Sequence, residues 1–267
     1  MRKTDQLRIE FSGFSSLLKK EVLRFLKVGS QTILSPLVNA GLYLLVFGVN
    51  LANVVSPYPG VDYLSFLIPG MIALGAFNNS LQNSASSVMV SKFHGDLQDL
   101  RIIPLRSVFI ASAYSIASLS RGLIVSVATF SIGQAFAYFQ LGHFIWPAHF
   151  AAFIYFLCIG CFIFGNIGIW AGFITTSFDQ INTITTFVVL PLIYLGGVFF
   201  SLHSMSPFWQ QISALNPLVY LIQGLRWSML DVSDLSIGVC ALASLIFFVI
   251  SATLAWYAVR FGSYQRF

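Results

Sequence analysis

At 267 residues, 57% of them hydrophobic and 9% charged, the chain lacks the polar side chains to cover a water-facing surface, for which a soluble domain uses about 25% charged residues. That excludes a soluble helical core and points to lipid as the solvent. The net charge of +5 does not mark a nucleic-acid binder: seven of the 14 Lys and Arg (Arg2, Lys3, Arg8, Lys19, Lys20, Arg24 and Lys27) precede residue 28, a membrane-orientation pattern rather than a nucleic-acid footprint.

In chain order, Leu7, Phe11, Phe14, Leu18, Val22 and Phe25 recur at helical spacing over residues 7–28, with Lys20, Glu21, Arg24 and Lys27 on other faces. The spacing predicts an amphipathic helix that lies in the membrane interface or packs on a soluble partner. Residues 1–30 then form an N-terminal cytoplasmic element ahead of one membrane domain, 31–267. Six long apolar runs follow, at about 31–50, 63–90, 107–138, 147–174, 181–200 and 235–259, close to or above the roughly 20 residues a span needs. Cys158, Cys161 and Cys240 fall inside these runs and read as small buried hydrophobes. No signal-peptide pattern is expected, since the first apolar run starts late and has polar flanks.

With the N-terminus inside, Lys92, Arg101, Arg106, Arg260 and Arg266 join the seven early charges on inside segments, while Arg226 alone falls in an outside loop. This positive-inside bias predicts six spans with both termini cytoplasmic. Residues 91–104, SKFHGDLQDLRIIP, read as a short charged helix on the inside, stopped by Pro104. Residues 175–180 form a tight inside turn. Residues 201–234 are too broken by Pro207 and Pro217 to span, yet too rich in Phe, Trp, Tyr and Leu for a solvated loop. Two short re-entrant helices fit there, surrounded by protein or a water-filled cavity.

Missing motifs narrow the chemistry. A phosphate-binding loop needs Gly-Lys followed by Ser or Thr, and no Gly precedes a Lys in this chain. The chain is therefore expected not to hydrolyse ATP. Four scattered His and no H-E-x-x-H make no metal site. Asp62, Asp231 and Asp234 are expected at the outer surface and Asp96, Asp99 and Asp179 at the inner one, which leaves no mid-membrane carboxylate for a proton relay.

Polar residues inside the spans carry the functional candidates. Gly75, Asn78, Asn79, Gln82, Asn83 and Ser86 share one face of the second span at about 100° per residue, with Leu74, Phe77, Leu81 and Val88 opposite. That face meets either other helices, through hydrogen bonds, or a translocation path. Thr183 and Thr186, near the inner end of the fifth span, are candidates for the same path. Gly168 and Gly172 make a GxxxG, for close packing or a dimer contact. Arg121 is the single intramembrane charge: a functional site, or a side chain snorkelling at the inner interface if the apolar span begins at Leu123.

Residues 188–227, VVLPLIYLGGVFFSLHSMSPFWQQISALNPLVYLIQGLRW, resemble the C-terminal signature of ABC-2 type permeases, through Pro191, Gly196, Gly197, Asn216, Pro217, Gly224 and Arg226. SLSRGL at 118–123 and YLSFLIPGM at 63–71 are similar to segments of that family's third and second helices, and SKFHGDLQDLRIIPL to its coupling segment. The likeness covers nearly the whole chain and is greatest to small bacterial drug, nodulation-factor and YadH-like permeases. It implies an all-α integral membrane fold of the type V exporter kind: six transmembrane helices, an N-terminal interfacial helix, a cytoplasmic coupling helix and outer re-entrant helices. It implies a permease pair, here expected as a homodimer in the bacterial inner membrane among its lipids, with two copies of a separate ATPase that carry ATP and Mg. The coupling residues would be Phe93, Asp96, Leu97, Asp99 and Arg101. Asn78, Asn79, Gln82, Asn83, Ser86, Thr183 and Thr186 would line the substrate path, and Pro207, Asn216, Pro217, Gly224 and Arg226 would form the outer gate. The aliphatic centre of the fifth span points to an amphiphilic or lipid-like cargo, such as a drug, a glycolipid or a polysaccharide-linked lipid. The competing functions are a non-transporting scaffold or sensor coupled to an ATPase, and an intramembrane enzyme.

Overall fold

The structure is a computed structural model that describes residues 3–50, 57–102 and 105–264, with the side chains of 3–9, Gln31 and Arg101 outside the description. Pro104 and residues 51–56, the first half of the first expected outside loop (51–62), also lie outside it. The elements are α1 (Lys3–Leu26), α2 (Gly29–Tyr43) continued by a π turn (Leu44–Val49), α3 (Tyr63–His94), α4 (Asp96–Ile102), α5 (Ser107–Leu141), α6 (Phe150–Ile174), α7 (Phe178–Ile184) continued by a π turn (Thr185–Val189) and α8 (Leu190–Leu195), then α9 (Pro207–Ser213), α10 (Pro217–Leu230) and α11 (Ile237–Phe261). Among the described residues there is no strand. Among the described residues six stretches are long and apolar enough to cross a membrane: Thr32–Val49, Tyr63–His94, Ser107–Leu141, Phe150–Ile174, Phe178–Leu195 and Ile237–Phe261. The all-α, six-span fold is the one expected.

The fifth span differs most from its expected limits. It starts early because Ser177 caps α7, its hydroxyl accepting the Gln180 N–H at 3.3 Å. It ends at Leu195 instead of running to 200, because Gly196 and Gly197 follow and Gly197 takes φ +77°, a left-handed conformation that ends helices. Pro191 has no N–H to return, and its ring crowds the carbonyl four residues back. The wider turn at Thr185–Val189 supplies the room that a regular helix would not.

Helix α3 is the axis of the bundle. It buries 78% of its most apolar stretch, against 22% for the first span, 11% for the fifth and 17% for α11. Its tight neighbours are α5 and α6. A Cβ on Gly168 would lie 2.3 Å from the Leu81 carbonyl oxygen, and one on Gly172 2.7 Å from Val88 Cβ. The GxxxG pair is thus close packing of α6 on α3 within the chain. Serines seam α3 to α5: Ser80 Oγ donates to the Ser118 carbonyl at 3.1 Å, and Ser84 bonds to the Ser118 hydroxyl.

The N-terminal helix packs on the chain itself. Gly13 abuts Leu105, Phe14 meets Phe109 edge-on, Glu10 pairs with Arg106 at 3.1 Å, and Lys20 pairs with Asp96 at 3.0 Å. Its last turns reach up α3, where buried Glu21 bonds to Ser87. Helix α1 is thus strapped to α4 and to the first turns of α5. The end of the bundle that carries Lys20, Lys92, Asp96 and Arg106 is called the basic end below. At the opposite, far end, α10 lies within the bundle on α3, α6 and α11, in keeping with a segment that does not span.

Candidate functional site

One cavity of about 690 Å³ lies between α2, α3, α5 and α8. Between Tyr63 and Met89, six residues of α3 escape full burial: Leu74, Gly75, Asn78, Asn79, Gln82 and Ser86. All six line the cavity. The face expected on the second span therefore opens onto a space, with two changes. Asn83 turns away and is 1% exposed. It donates to the Ser118 hydroxyl at 3.3 Å and accepts from Arg24 at 3.1 Å, so it joins helices. Leu74, expected on the opposite face, is part of the wall.

Thr183 and Thr186 are not in the wall. Both are exposed on the outside of the fifth span, and Thr183 returns its hydroxyl to the Asp179 carbonyl at 2.8 Å. That span contributes Leu190, Ile193 and Tyr194 instead, and α2 contributes Thr32, Ser35, Pro36, Asn39, Ala40 and Tyr43.

Arg121 projects into the cavity. Its neighbour Gly122 abuts Ala76, Ser80 and Cys161, and Cys161 is the twelfth residue of the 25-residue α6. Arg121 therefore sits about halfway along a membrane-length helix. That level, beside the middle of α6, sets it apart from a side chain at a helix end, where snorkelling would hold it. Its guanidinium Nε is buried without a hydrogen-bond partner among the described residues. Thr32 Oγ1, Asn78 Oδ1 and Thr129 Oγ1 are in the same condition and line the same cavity. Buried polar groups are nearly always paired, so four unpaired ones converging on one space mark it as a place where a polar partner is met.

The cavity is two-ended. Arg24, Gln82, Ser86 and Arg121 lie toward the basic end, and Tyr43, Met71, Tyr194 and Phe199 toward the far end. Arg24 is already engaged: it donates to the Asn83 carbonyl at 2.9 Å and pairs with Glu21 at 3.2 Å.

At the basic end, the expected coupling residues divide. Asp99 and Phe93 are exposed, Phe93 at 62%. Leu97 is fully buried in a cluster with Leu17, Val88 and Tyr114, so it anchors α4 to the bundle rather than to a partner. Asp96 is engaged by Lys20, and that charge and hydrogen bond hold its carboxyl below the usual carboxylate range. The Arg101 side chain lies outside the described residues. Ile102, 82% exposed, is an apolar contact that the charge pattern did not single out. Lys92 ties this end to α6, donating to the Phe173 carbonyl at 2.7 Å and the Thr175 carbonyl at 2.9 Å.

At the far end, Pro207 and Pro217 open α9 and α10 as first-turn prolines. Asn216 caps α10, accepting the Leu218 N–H at 2.9 Å, and donates to the Leu192 carbonyl at 2.6 Å. Gly224 lets Phe156 approach to 2.5 Å of where a Cβ would stand. Arg226, read from the sequence as a loop charge, is fully buried. Its guanidinium sits 3.7 Å over the Phe66 ring and donates to the Gly197 carbonyl at 2.8 Å. Asp234 gathers the neighbouring loops, accepting from the Leu202 N–H at 2.7 Å, Ser201 at 2.8 Å and Gln223 at 2.8 Å. The sequence signalled these loops through their prolines but not the carboxylate that knots them.

The family model described as ABC-2 type transporter matches residues 12–230. The inner membrane transport permease YadH of Escherichia coli K12 is 30% identical over 256 residues, covering 96% of this chain and 98% of that protein. Nodulation protein J of Rhizobium leguminosarum bv. viciae is 27% identical over 254 residues, 88% of this chain and 91% of that protein. A putative transport permease, ycf38 of Cyanophora paradoxa, is 30% identical over 217 residues, 79% and 72% of the two chains.

Proposed function

The chain belongs to the ABC-2 type transporter family as a multi-pass transport permease, and on that premise we propose that it is the membrane subunit of an ATP-driven exporter in the bacterial inner membrane. It works as a homodimer with two copies of a separate ATPase that bind ATP and Mg, and it carries an amphiphilic cargo. The observation that carries this reading is the 690 Å³ cavity, whose polar wall is the uncovered face of an otherwise buried α3. A scaffold or sensor has no need of four unpaired polar atoms around a space of ligand size. The inner-membrane assignment follows the name of the YadH relative.

The basic end is the cytoplasmic side in this reading. The partner ATPase docks on Phe93, Asp99 and Ile102. Its movement reaches the cavity through α1, because Lys20 holds Asp96 of α4 and Arg24, one turn further on, holds Asn83 beside the wall. The second copy closes the cavity against the first and fifth spans, which are the least covered walls. The far-end helices α9 and α10 form the exit gate.

The test is thiol accessibility in the assembled transporter, with Cys158, Cys161 and Cys240 replaced. Asn79→Cys and Gln82→Cys should react with a small water-soluble reagent at rates that change when ATP is added. Leu81→Cys and Asn83→Cys should stay unreactive throughout. Equal reactivity at all four positions, or none that responds to nucleotide, would remove the cavity from the transport path.

A further inference from the structure

We infer that the cavity selects an amphiphile with an anionic headgroup, a phosphate, sulfate or carboxylate, held by Arg121, with its apolar portion directed to the aromatic far end. The inference rests on the permease reading above and names the cargo class for that site.

Charge gives the first step. The wall carries two guanidinium groups, and no carboxylate among its described residues. Arg24 is compensated by Glu21 at 3.2 Å. Arg121 has no ion pair among the described residues, and its Nε is unpaired. It sits midway along the bundle, where an uncompensated charge is expensive. Arg24 adds repulsion, since it is near enough for its charge to act on Arg121. A negative ligand relieves both costs. A cationic ligand worsens them, and a neutral one leaves Arg121 uncompensated.

Hydrogen-bond chemistry gives the second step. The same cavity wall carries Thr129 Oγ1, Thr32 Oγ1 and Asn78 Oδ1, all unpaired among the described residues, together with Asn79 and Gln82. Hydroxyls donate as readily as they accept, and an amide presents its N–H2 after a half-turn. Several potential donors sharing a cavity wall with a guanidinium make a surface suited to an oxyanion. Shape gives the third step. Tyr43, Met71, Ile193, Tyr194 and Phe199 make the other end apolar, and Phe199 packs against Tyr43 at 5.7 Å and Tyr194 at 6.0 Å between ring centroids. A free inorganic anion would use half the cavity, whereas an amphiphile uses all of it.

The experiment uses the complex of this permease with its ATPase in phosphatidylcholine nanodiscs, so that the bilayer carries no competing net charge. Four probes are compared by binding and by stimulation of ATP hydrolysis: dodecyl phosphate, dodecylphosphocholine, dodecyltrimethylammonium and inorganic phosphate. Dodecyl phosphate should bind at least about tenfold more tightly than either other dodecyl compound, the scale of one charge-assisted contact. Inorganic phosphate should bind far more weakly, which separates a lipid-like anion from a free one. Arg121→Gln should abolish the preference for phosphate over phosphocholine, and Arg121→Lys should keep part of it. The headgroup comparison on the unaltered complex needs no variant, so it stands even if Arg121→Gln fails to assemble. Equal binding of the cationic and anionic probes, or an unchanged preference in Arg121→Gln, would overturn the anion assignment while leaving the permease reading intact. Inorganic phosphate binding as tightly as dodecyl phosphate would overturn the amphiphile assignment. Failure of the chain to associate with any ATPase would instead defeat the reading on which this rests.

Discussion

Replacing Asp234 by Ala should loosen the far end of the bundle selectively. The carboxylate is 1% exposed and accepts from the Leu202 N–H at 2.7 Å, Ser201 at 2.8 Å and Gln223 at 2.8 Å. Hydrogen bonds to a charged acceptor contribute about 1.5–3 kcal/mol each, and a buried donor left unpaired costs about 1–3 kcal/mol. The Ser201 and Tyr58 hydroxyls can rotate to other acceptors, but the Leu202 N–H and the Gln223 amide have less freedom. Two orphaned donors give a local cost of about 3–5 kcal/mol, and Asp234→Asn, which keeps shape but loses charge, about 1–2 kcal/mol. Hydrogen exchange of the Leu202 and His203 amides reads this directly. Exchange there should speed by roughly 100-fold or more in the Ala variant, while amides of α3 and α6 stay protected. Burial pushes the Asp234 carboxyl up, but bonds from Tyr58, Leu202, Ser201 and Gln223 outweigh it and leave the group below its ordinary 3.8. A depressed carboxylate stabilises fully above the unfolded value and loses that contribution as pH falls through the folded one. The part of the clasp that rests on the ionisation of Asp234 should therefore weaken only in strong acid. Less than about threefold faster exchange in Asp234→Ala, on this scale of roughly 1.4 kcal/mol per decade, would show that Asp234 does not hold these loops.

Other sites separate packing from docking. Gly168→Ala drives a methyl against the Leu81 carbonyl at 2.3 Å and should destabilise by about 1–3 kcal/mol; an unchanged melting temperature of the purified permease would contradict the close α3–α6 approach. Leu97→Ala, at a fully buried site, should cost about 2–5 kcal/mol of stability. Ile102→Ser, at an 82% exposed site, should leave the melt unchanged and reduce ATPase recruitment in a pull-down; the opposite pattern would mean that α4 faces the other way.

What the sequence made legible follows from the range of the forces involved. Hydrophobic runs and charge asymmetry are local and additive, so five of the six spans begin and end within a few residues of their apolar runs, and the fifth is cut short by the conformation of Gly197 at φ +77°. Tertiary partners are not local. The stripe on α3 was readable by angle, but which edge of it α5 covers was not. Asn83 lies about 140° around the helix from Asn78, at one edge of the stripe, and Leu74 about 40° beyond Asn78 at the other. Helix α5 packs over the Asn83 edge through Ser118 and leaves the Leu74 edge open, so the working face is the predicted one rotated by roughly one side chain. The same limit explains Arg226: composition made it a loop charge, whereas Phe66 and the Gly197 carbonyl, 160 and 29 residues away in the chain, make it a core residue. Arg121 is the informative contrast. Residue type alone marked it as costly inside a span, but its level depended on tertiary neighbours, and with Gly122 packed against Ala76, Ser80 and Cys161 its charge has to be met within the bundle rather than at its edge.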